Sequence, residues 1–367
     1  MAPPSPRTIV ILRALQLGDL LCAVPAWRAA RAAWPDAHLA LVGLSWARTF
    51  VERFRHYLDE FIEFPGYPGL PEREPDLAAI PSFLARMQQR RFDLVLQMHG
   101  SGQIVNQIAE LMGGAATGGF YVPGQYCPNS ALFMRYPDGI HEIHRHLRLM
   151  KFLGAPAHGE HLEFPLTEAD QASLARIEQT QTLEPGRYVC VHPGGRGRDR
   201  RWPPERFARI ADAVAAKGFP IVITGTSEER ALANAMLGSL QGPSVDLVGR
   251  TDLGTIGALL AGAKLLIAND TGVSHLAAAL SVPSVIVTTG SDPVRWGPLD
   301  RRRHRVLMGD SVTTADVIDE VEQVLGDPAA ATGSLPAGPC AARVSCASVS
   351  TDERLASVSG VRMRGRA

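Results

Sequence analysis

Lysine is almost missing from this chain. Only Lys151, Lys217 and Lys264 occur, and arginine supplies the rest of the positive charge. A compositional bias of the coding sequence accounts for that without any functional demand. An excess of either charge is missing too. The 37 basic residues balance 37 acidic ones, so nothing argues for a nucleic-acid partner or an anionic membrane surface. No run of about 20 apolar residues occurs, which excludes an expected transmembrane span and leaves at most peripheral membrane contact. The residues before the first strand-like run lack the apolar core of a secretory signal. Cys22, Cys127, Cys190, Cys340 and Cys346 form no Cys-x-x-Cys pair and no metal-ligand spacing, so they read as reduced thiols. The expected location is therefore cytoplasmic. Three motifs are absent as well: the Gly-x-Gly-x-x-Gly dinucleotide fingerprint, the Gly-Lys-Ser/Thr of a phosphate-binding Walker loop, and any Asp-x-Asp metal motif. Their absence argues against an NAD oxidoreductase, a P-loop nucleotidase and a metal-dependent transferase, and no cofactor or metal is expected.

What is present is a regular alternation. At 367 residues and 46% apolar content the chain can fill two cores. Apolar runs at Thr8–Ala14, His38–Gly43, Phe61–Phe64 and Asp93–Met98 read as strands. Between them Leu20–Ala33, Leu77–Arg90 and a stretch from about Gln103 to Leu111 read as helices. Tyr121–Gly139 reads as a long loop and His141–Leu153 as a helix. The pattern restarts with Thr167–Thr180 as a helix. Strands are expected at Arg187–His192, Phe219–Thr224, Val245–Val248, Lys264–Asn269, Pro283–Thr288 and Arg305–Met308, and Ala315–Leu325 is expected to be a last helix. Such alternation predicts parallel βαβ units. The expected organisation is an α/β domain at 1–160, a second at 161–326, and a disordered Ala-, Ser-, Gly- and Pro-rich tail at 327–367.

Three loops carry candidate chemistry. Leu15-Gln16-Leu17-Gly18-Asp19 joins the first strand to the first helix. Asp19 is either a helix cap or a carboxylate able to take a proton from an incoming hydroxyl. His192-Pro193-Gly194-Gly195-Arg196-Gly197-Arg198-Asp199-Arg200-Arg201-Trp202-Pro203 is glycine-rich and basic. Glycines let backbone approach an anion, and arginines bind phosphate; the plainer reading is a solvated loop, with Trp202 as packing. Asn269-Asp270-Thr271-Gly272-Val273-Ser274-His275 ends a strand and opens a helix, where exposed amides suit a phosphate. The plainer readings are Asp270 as a cap and His275 as a structural histidine. An aspartic protease is excluded, because its Asp-Thr-Gly needs an all-β setting. Gln97, His99 and Ser101 sit at the end of another first-domain strand and could contact a polar acceptor. The Thr224–Glu228 turn is expected at the corresponding position of the second domain, with Glu228 available to a ribose hydroxyl.

Together these residues resemble glycosyltransferase family 9, the ADP-heptose:lipopolysaccharide heptosyltransferases. The likeness runs over about residues 7–326 and rests on Leu17-Gly18-Asp19-Leu20-Leu21 with Val24-Pro25, on His192-Pro193-Gly194 leading to Arg201-Trp202-Pro203, and on Asn269 to Ala279. The resemblance implies a GT-B fold: two Rossmann-like domains facing a cleft, acceptor on the N-terminal side and nucleotide-sugar donor on the C-terminal side. It implies Asp19 as general base. It implies a donor site of His192, Gly194, Gly195, Arg200 or Arg201, Glu228, Asp270, Thr271, Gly272 and His275, with Gln97, His99 and Ser101 expected toward the acceptor. Arginine stands where the family commonly has lysine before Trp-Pro. The implied reaction is inverting and metal-independent, from ADP-heptose to a lipopolysaccharide core or related surface glycan, at the inner face of the inner membrane. The alternatives are a GT-B enzyme using a UDP- or GDP-sugar, an epimerase included, and a non-catalytic nucleotide-binding protein.

Overall fold

The computed structural model describes residues 5–197, 200–309 and 311–327. Two six-stranded sheets organise them, and every strand pairing is parallel. The first is built from β1 (Thr8–Leu12), α1 (Leu17–Ala33), β2 (His38–Gly43), α2 (Ala47–Arg53), β3 (Glu60–Glu63), α3 (Ala79–Arg90), β4 (Leu94–Gln97), α4 (Val105–Leu111), β5 (Ala116–Tyr121), β6 (Phe133–Arg135) and α5 (Glu142–Phe152). After α6 (Glu168–Ala175), the second is built from β7 (Val189–His192), α7 (Pro204–Ala215), β8 (Ile221–Ile223), α8 (Arg230–Ser239), β9 (Ser244–Asp246), α9 (Leu253–Ala261), β10 (Leu265–Asn269), α10 (Gly272–Ala279), β11 (Ser284–Thr288), α11 (Pro293–Trp296), β12 (His304–Met308) and α12 (Thr314–Gly326).

The strand orders are β3-β2-β1-β4-β5-β6 and β9-β8-β7-β10-β11-β12. Both are the doubly wound order 3-2-1-4-5-6, whose switch point lies between the first and fourth strands. In the first sheet that point is β1 beside β4, with Leu12 opposite Gln97. In the second it is β7 beside β10, with His192 opposite Ala268. The turn after β10 is thus the counterpart of the Gln97 turn. Thr224 follows β8, one strand further out, which corrects the expected correspondence.

Helices cover the sheets, so the central strands are buried on both faces and read as unbroken apolar runs. Ile9 to Leu12 and Leu265 to Ala268 are fully buried. α1 is buried on nearly all sides, because it lies against the first sheet and also packs on α5 and α10. That is why its Ala, Leu, Cys and Trp residues show little amphipathic bias. One apolar cluster runs from β1 through α1 and α10 into the second sheet.

Two strands escaped the sequence reading. β5 has the sequence Ala-Thr-Gly-Gly-Phe-Tyr, which lacks a strand-like apolar pattern. Its glycines are needed for packing: a Cβ on Gly119 would lie 2.7 Å from the Gln97 amide oxygen. β6 falls inside the segment expected to be a loop. The tail at 327–367 lies outside the described residues, except for Asp327.

Candidate active site

The two switch points face a shared cavity of about 680 Å³. Its floor is a meeting of two helix starts. A Cβ added to Gly18 would stand 2.6 Å from His275 Cδ2, and one added to Gly272 would stand 3.1 Å from Leu17 Cβ. Glycine at both places lets the two helix starts approach, and a side chain at Gly18 would collide with the His275 ring. The amides and positive ends of α1 and α10 therefore converge on one place, which favours negative charge there.

On the first-domain wall, Asp19 lines the cavity, half-buried. It is not the helix cap. Gln16 holds that position, and Asp19 Oδ2 accepts the Gln16 N–H at 3.2 Å from one turn inside. Its second oxygen forms no hydrogen bond within the described protein. The backbone beneath is fixed by Arg13, fully buried, whose Nε and Nη2 donate to the Asp19 carbonyl at 3.0 and 2.7 Å and whose Nη1 donates to the Met98 carbonyl. Arg13 thereby ties the ends of β1 and β4 to α1.

Behind Arg13 lies a buried charge cluster that the sequence reading did not find. Glu142 accepts from Arg13 Nη2 at 3.4 Å, from His146 Nε2 at 3.1 Å, from Arg145, and from Arg295 Nε at 3.0 Å. Arg295 comes from α11, so the last bond crosses between the domains. Burial opposes charge on Glu142, but the His146 hydrogen bond and the Arg13 and Arg295 guanidinium groups hold its carboxyl well below the usual carboxylate range. Burial pushes His146 down to about 4, so its imidazole is neutral at pH 7. The available signal was Arg13 itself, an arginine closing an apolar strand run, since fully buried arginines are rare unless paired.

Gln97 and His99 do not reach the cavity. Gln97 donates to the His99 carbonyl at 2.7 Å and accepts the Phe120 N–H at 3.0 Å, so both ends of its amide bind its own domain. His99 Nδ1 accepts the Ala14 N–H at 3.2 Å, and its Nε2 lies 3.6 Å from Glu72. Ser101, half-buried in the same turn, does not line the cavity either.

The second-domain wall is built by Asn269. This fully buried side chain donates to the Pro193 and Gly194 carbonyls at 2.7 and 3.1 Å and accepts the Trp202 N–H at 3.0 Å. It fastens both ends of the basic loop to the end of β10. Trp202 is buried against Phe207, as a packing residue would be. Of the two candidate arginines, Arg200 lines the cavity, while Arg201 Nε donates to the Gly195 carbonyl at 2.5 Å. Arg200 Nη2 lies 3.8 Å from Asp270, and its Nε is buried without a hydrogen-bond partner among the described residues.

Thr271, not Asp270, caps α10, accepting the Val273 N–H at 3.3 Å. Asp270 accepts a hydrogen bond from Ser291 and faces Arg200, so its charge is already engaged. His275 and His192 also line the cavity, and burial pushes both imidazoles below their ordinary range. Glu228 is exposed and outside the cavity. Its neighbour Glu229 lines it instead, accepting the Gly195 N–H at 2.7 Å and the Thr226 N–H at 2.8 Å. Gly194 leaves room for that carboxylate, which a Cβ there would meet at 2.1 Å. Among the described residues, no group of three His, Cys, Asp or Glu side chains is placed to hold a metal ion, and no helix is long and apolar enough to cross a membrane.

The profile of glycosyltransferase family 9 (heptosyltransferase) matches residues 81–320. The chain belongs to glycosyltransferase family 9. Within the family, lipopolysaccharide heptosyltransferase 3 of Escherichia coli is 29% identical over 38% of this chain and 42% of its own length. The first curated relatives are matched over 37% to 44% of their length. Among solved structures, the family 9 glycosyltransferase of Veillonella parvula superposes with a TM-score of 0.75 at 20% identity, over 87% of this chain and 97% of that one. The E. coli ADP-heptose lipopolysaccharide heptosyltransferase II does so with a TM-score of 0.70 at 19% identity, over 87% and 98%. These likenesses establish the GT-B arrangement of two Rossmann-like domains.

Proposed function

We propose that this family 9 member transfers heptose from ADP-heptose to a lipopolysaccharide core or related surface glycan, with inversion and without a metal. The observation that carries the reading is the opposition across one cavity. Asp19 stands on one wall with a carboxylate oxygen unengaged. On the other stand the α10 amides and Arg200, whose buried Nε has no hydrogen-bond partner among the described residues. A buried N–H without a partner is what an arriving anion would satisfy.

In this reading the N-terminal domain, 1–160, holds the acceptor and the C-terminal domain, 161–326, the donor. The diphosphate lies over the start of α10, and the nucleoside extends toward Gly225, Thr226, Gly249, Thr251 and Ile256 along the same cavity. Asp19 takes the proton from an acceptor hydroxyl. The oxygen attacks the anomeric carbon on the face opposite the diphosphate, and the bond from that carbon to the phosphate oxygen breaks. The departing ADP carries the released electron pair and is held by the helix-start amides, Arg200 and His275. One oriented donor of this kind is worth roughly 3 kcal/mol at the transition state. Closure of the domains would exclude water. With a lipid-borne acceptor, transfer takes place at the cytoplasmic face of the inner membrane.

A thermal-shift panel of ADP, UDP and GDP tests the donor. ADP is expected to stabilise the protein most. Stabilisation by UDP or GDP equal to or above that by ADP would overturn the ADP-heptose assignment.

A further inference from the structure

One contact at the cavity floor has no part in the scheme above. Cys22 lies on α1 one turn beyond Asp19, and His275 lies in the first turn of α10 on the opposite domain. The Cys22 Sγ is 3.6 Å from His275 Nδ1, within sulfur hydrogen-bond reach, and both residues are buried. The imidazole is fixed on two further sides. Its Cδ2 edge presses on the Gly18 backbone, and Trp296 meets it edge-on at 6.2 Å. Nδ1 thus faces the thiol, while Nε2 forms no hydrogen bond with the described protein. His275 lines the cavity, so Nε2 is the ring nitrogen left to meet a ligand.

A neutral imidazole has one donor and one acceptor nitrogen, and which is which follows from the bond the other nitrogen makes. If Nδ1 carried the proton, Nε2 would present a lone pair to the diphosphate oxygens and repel them. If the thiol donates to Nδ1, Nε2 carries the proton and donates to the diphosphate. We propose that Cys22 is a positioning residue: its S–H bond to Nδ1 holds His275 in the Nε2–H form, aimed at the departing diphosphate. Surrounding conditions agree. Burial, reinforced by the Glu142 and Asp19 charges, keeps the thiol protonated, and burial keeps the imidazole neutral. No proton leaves either group during the reaction; the contact acts by fixing orientation and tautomer. The role rests on the proposed placement of the diphosphate at α10, but the tautomer can be measured without it.

The test pairs a spectroscopic readout with kinetics. In protein carrying ¹⁵N-histidine, long-range ¹H–¹⁵N correlation should show His275 as the Nε2–H tautomer. In Cys22→Ala, Nδ1 loses its donor and the signal should shift toward a mixture of tautomers. That variant should lose about tenfold in kcat, the equivalent of one neutral hydrogen bond, with little change in donor KM. Cys22→Ser, which keeps an O–H donor, should recover the tautomer and part of kcat. A wild-type His275 protonated at Nδ1 would overturn the proposal. So would a Cys22→Ala variant with unchanged tautomer and unchanged kcat. Loss of the heptosyl-transfer reading would look different: a Cys22-dependent Nε2–H signal with no turnover of ADP-heptose.

Discussion

The two sheets share one topology yet present opposite chemistry at the same place. At the first switch point, between β1 and β4, the polar side chains turn inward. Gln97, His99 and Arg13 bond to their own domain, and a lone carboxylate, Asp19, reaches the cavity. At the second, between β7 and β10, the inward residue is Asn269, and the cavity receives helix-start amides and Arg200. Asp270 is carried on that wall too, but Ser291 and Arg200 engage its charge. One architecture thus gives two unlike walls according to which side chains its interior consumes: Asp19 alone carries charge on the first, while on the second Arg196 and Arg200 stand among carboxylates that already accept protein hydrogen bonds, Glu229, Asp252 and Asp270. The proposed general base, Asp19, accepts only the Gln16 N–H among the described residues and keeps one oxygen free toward the cavity.

The comparison can be broken at several points. The largest effect is expected from Asp19→Asn, which keeps the shape and removes the base. Transfer should fall by about 10²- to 10⁴-fold, with the fold intact by circular dichroism. A variant with the wild-type rate would place the base elsewhere. Next is Glu142→Gln, which leaves Arg13, Arg145 and Arg295 uncompensated in the interior. Losing one partner of a buried ion cluster costs about 3–5 kcal/mol, to be read as a lowered urea midpoint. An unchanged midpoint would show that the first switch point does not depend on this carboxylate.

A smaller effect concerns acid. His146 is held at about 4, below its ordinary 6.5. The unfolded chain therefore takes up that proton first as pH falls. The stability His146 contributes is complete above pH 6.5 and is lost as pH drops toward 4. Between pH 6.5 and 5 this amounts to up to about 2 kcal/mol. Urea titrations of His146→Gln should show a shallower decline over that interval than the parent protein. Identical declines would contradict the assignment.

Much of the fold was legible because parallel strands buried on both faces leave apolar runs, as at Ile9–Leu12 and Leu265–Ala268. β5 was not, because its glycines answer to the Gln97 side chain, a tertiary demand invisible in a linear pattern. At the site, loops marked by glycine and a charged residue were legible: Gly18-Asp19, the basic loop, and Asp270 to His275 all line the cavity in whole or part. That Gln97 and His99 bond within their own domain was not legible, because sequence shows that a polar residue sits at a strand end, not whether the interior already holds it. Glu229 was passed over for Glu228 because a one-residue phase decides which carboxylate faces Gly195. Glu142 and Arg295 lie 153 positions apart and could not be paired by spacing.

The central claim, that donor phosphate belongs to the second wall and proton removal to the first, is tested most directly by calorimetric titration of ADP into two variants. Asp19→Asn should bind ADP with the parent affinity or tighter, since a carboxylate facing the diphosphate is removed. Arg200→Ala should bind it about tenfold more weakly, the loss of one charge-assisted hydrogen bond. Unchanged ADP affinity in Arg200→Ala together with weakened affinity in Asp19→Asn would contradict the account.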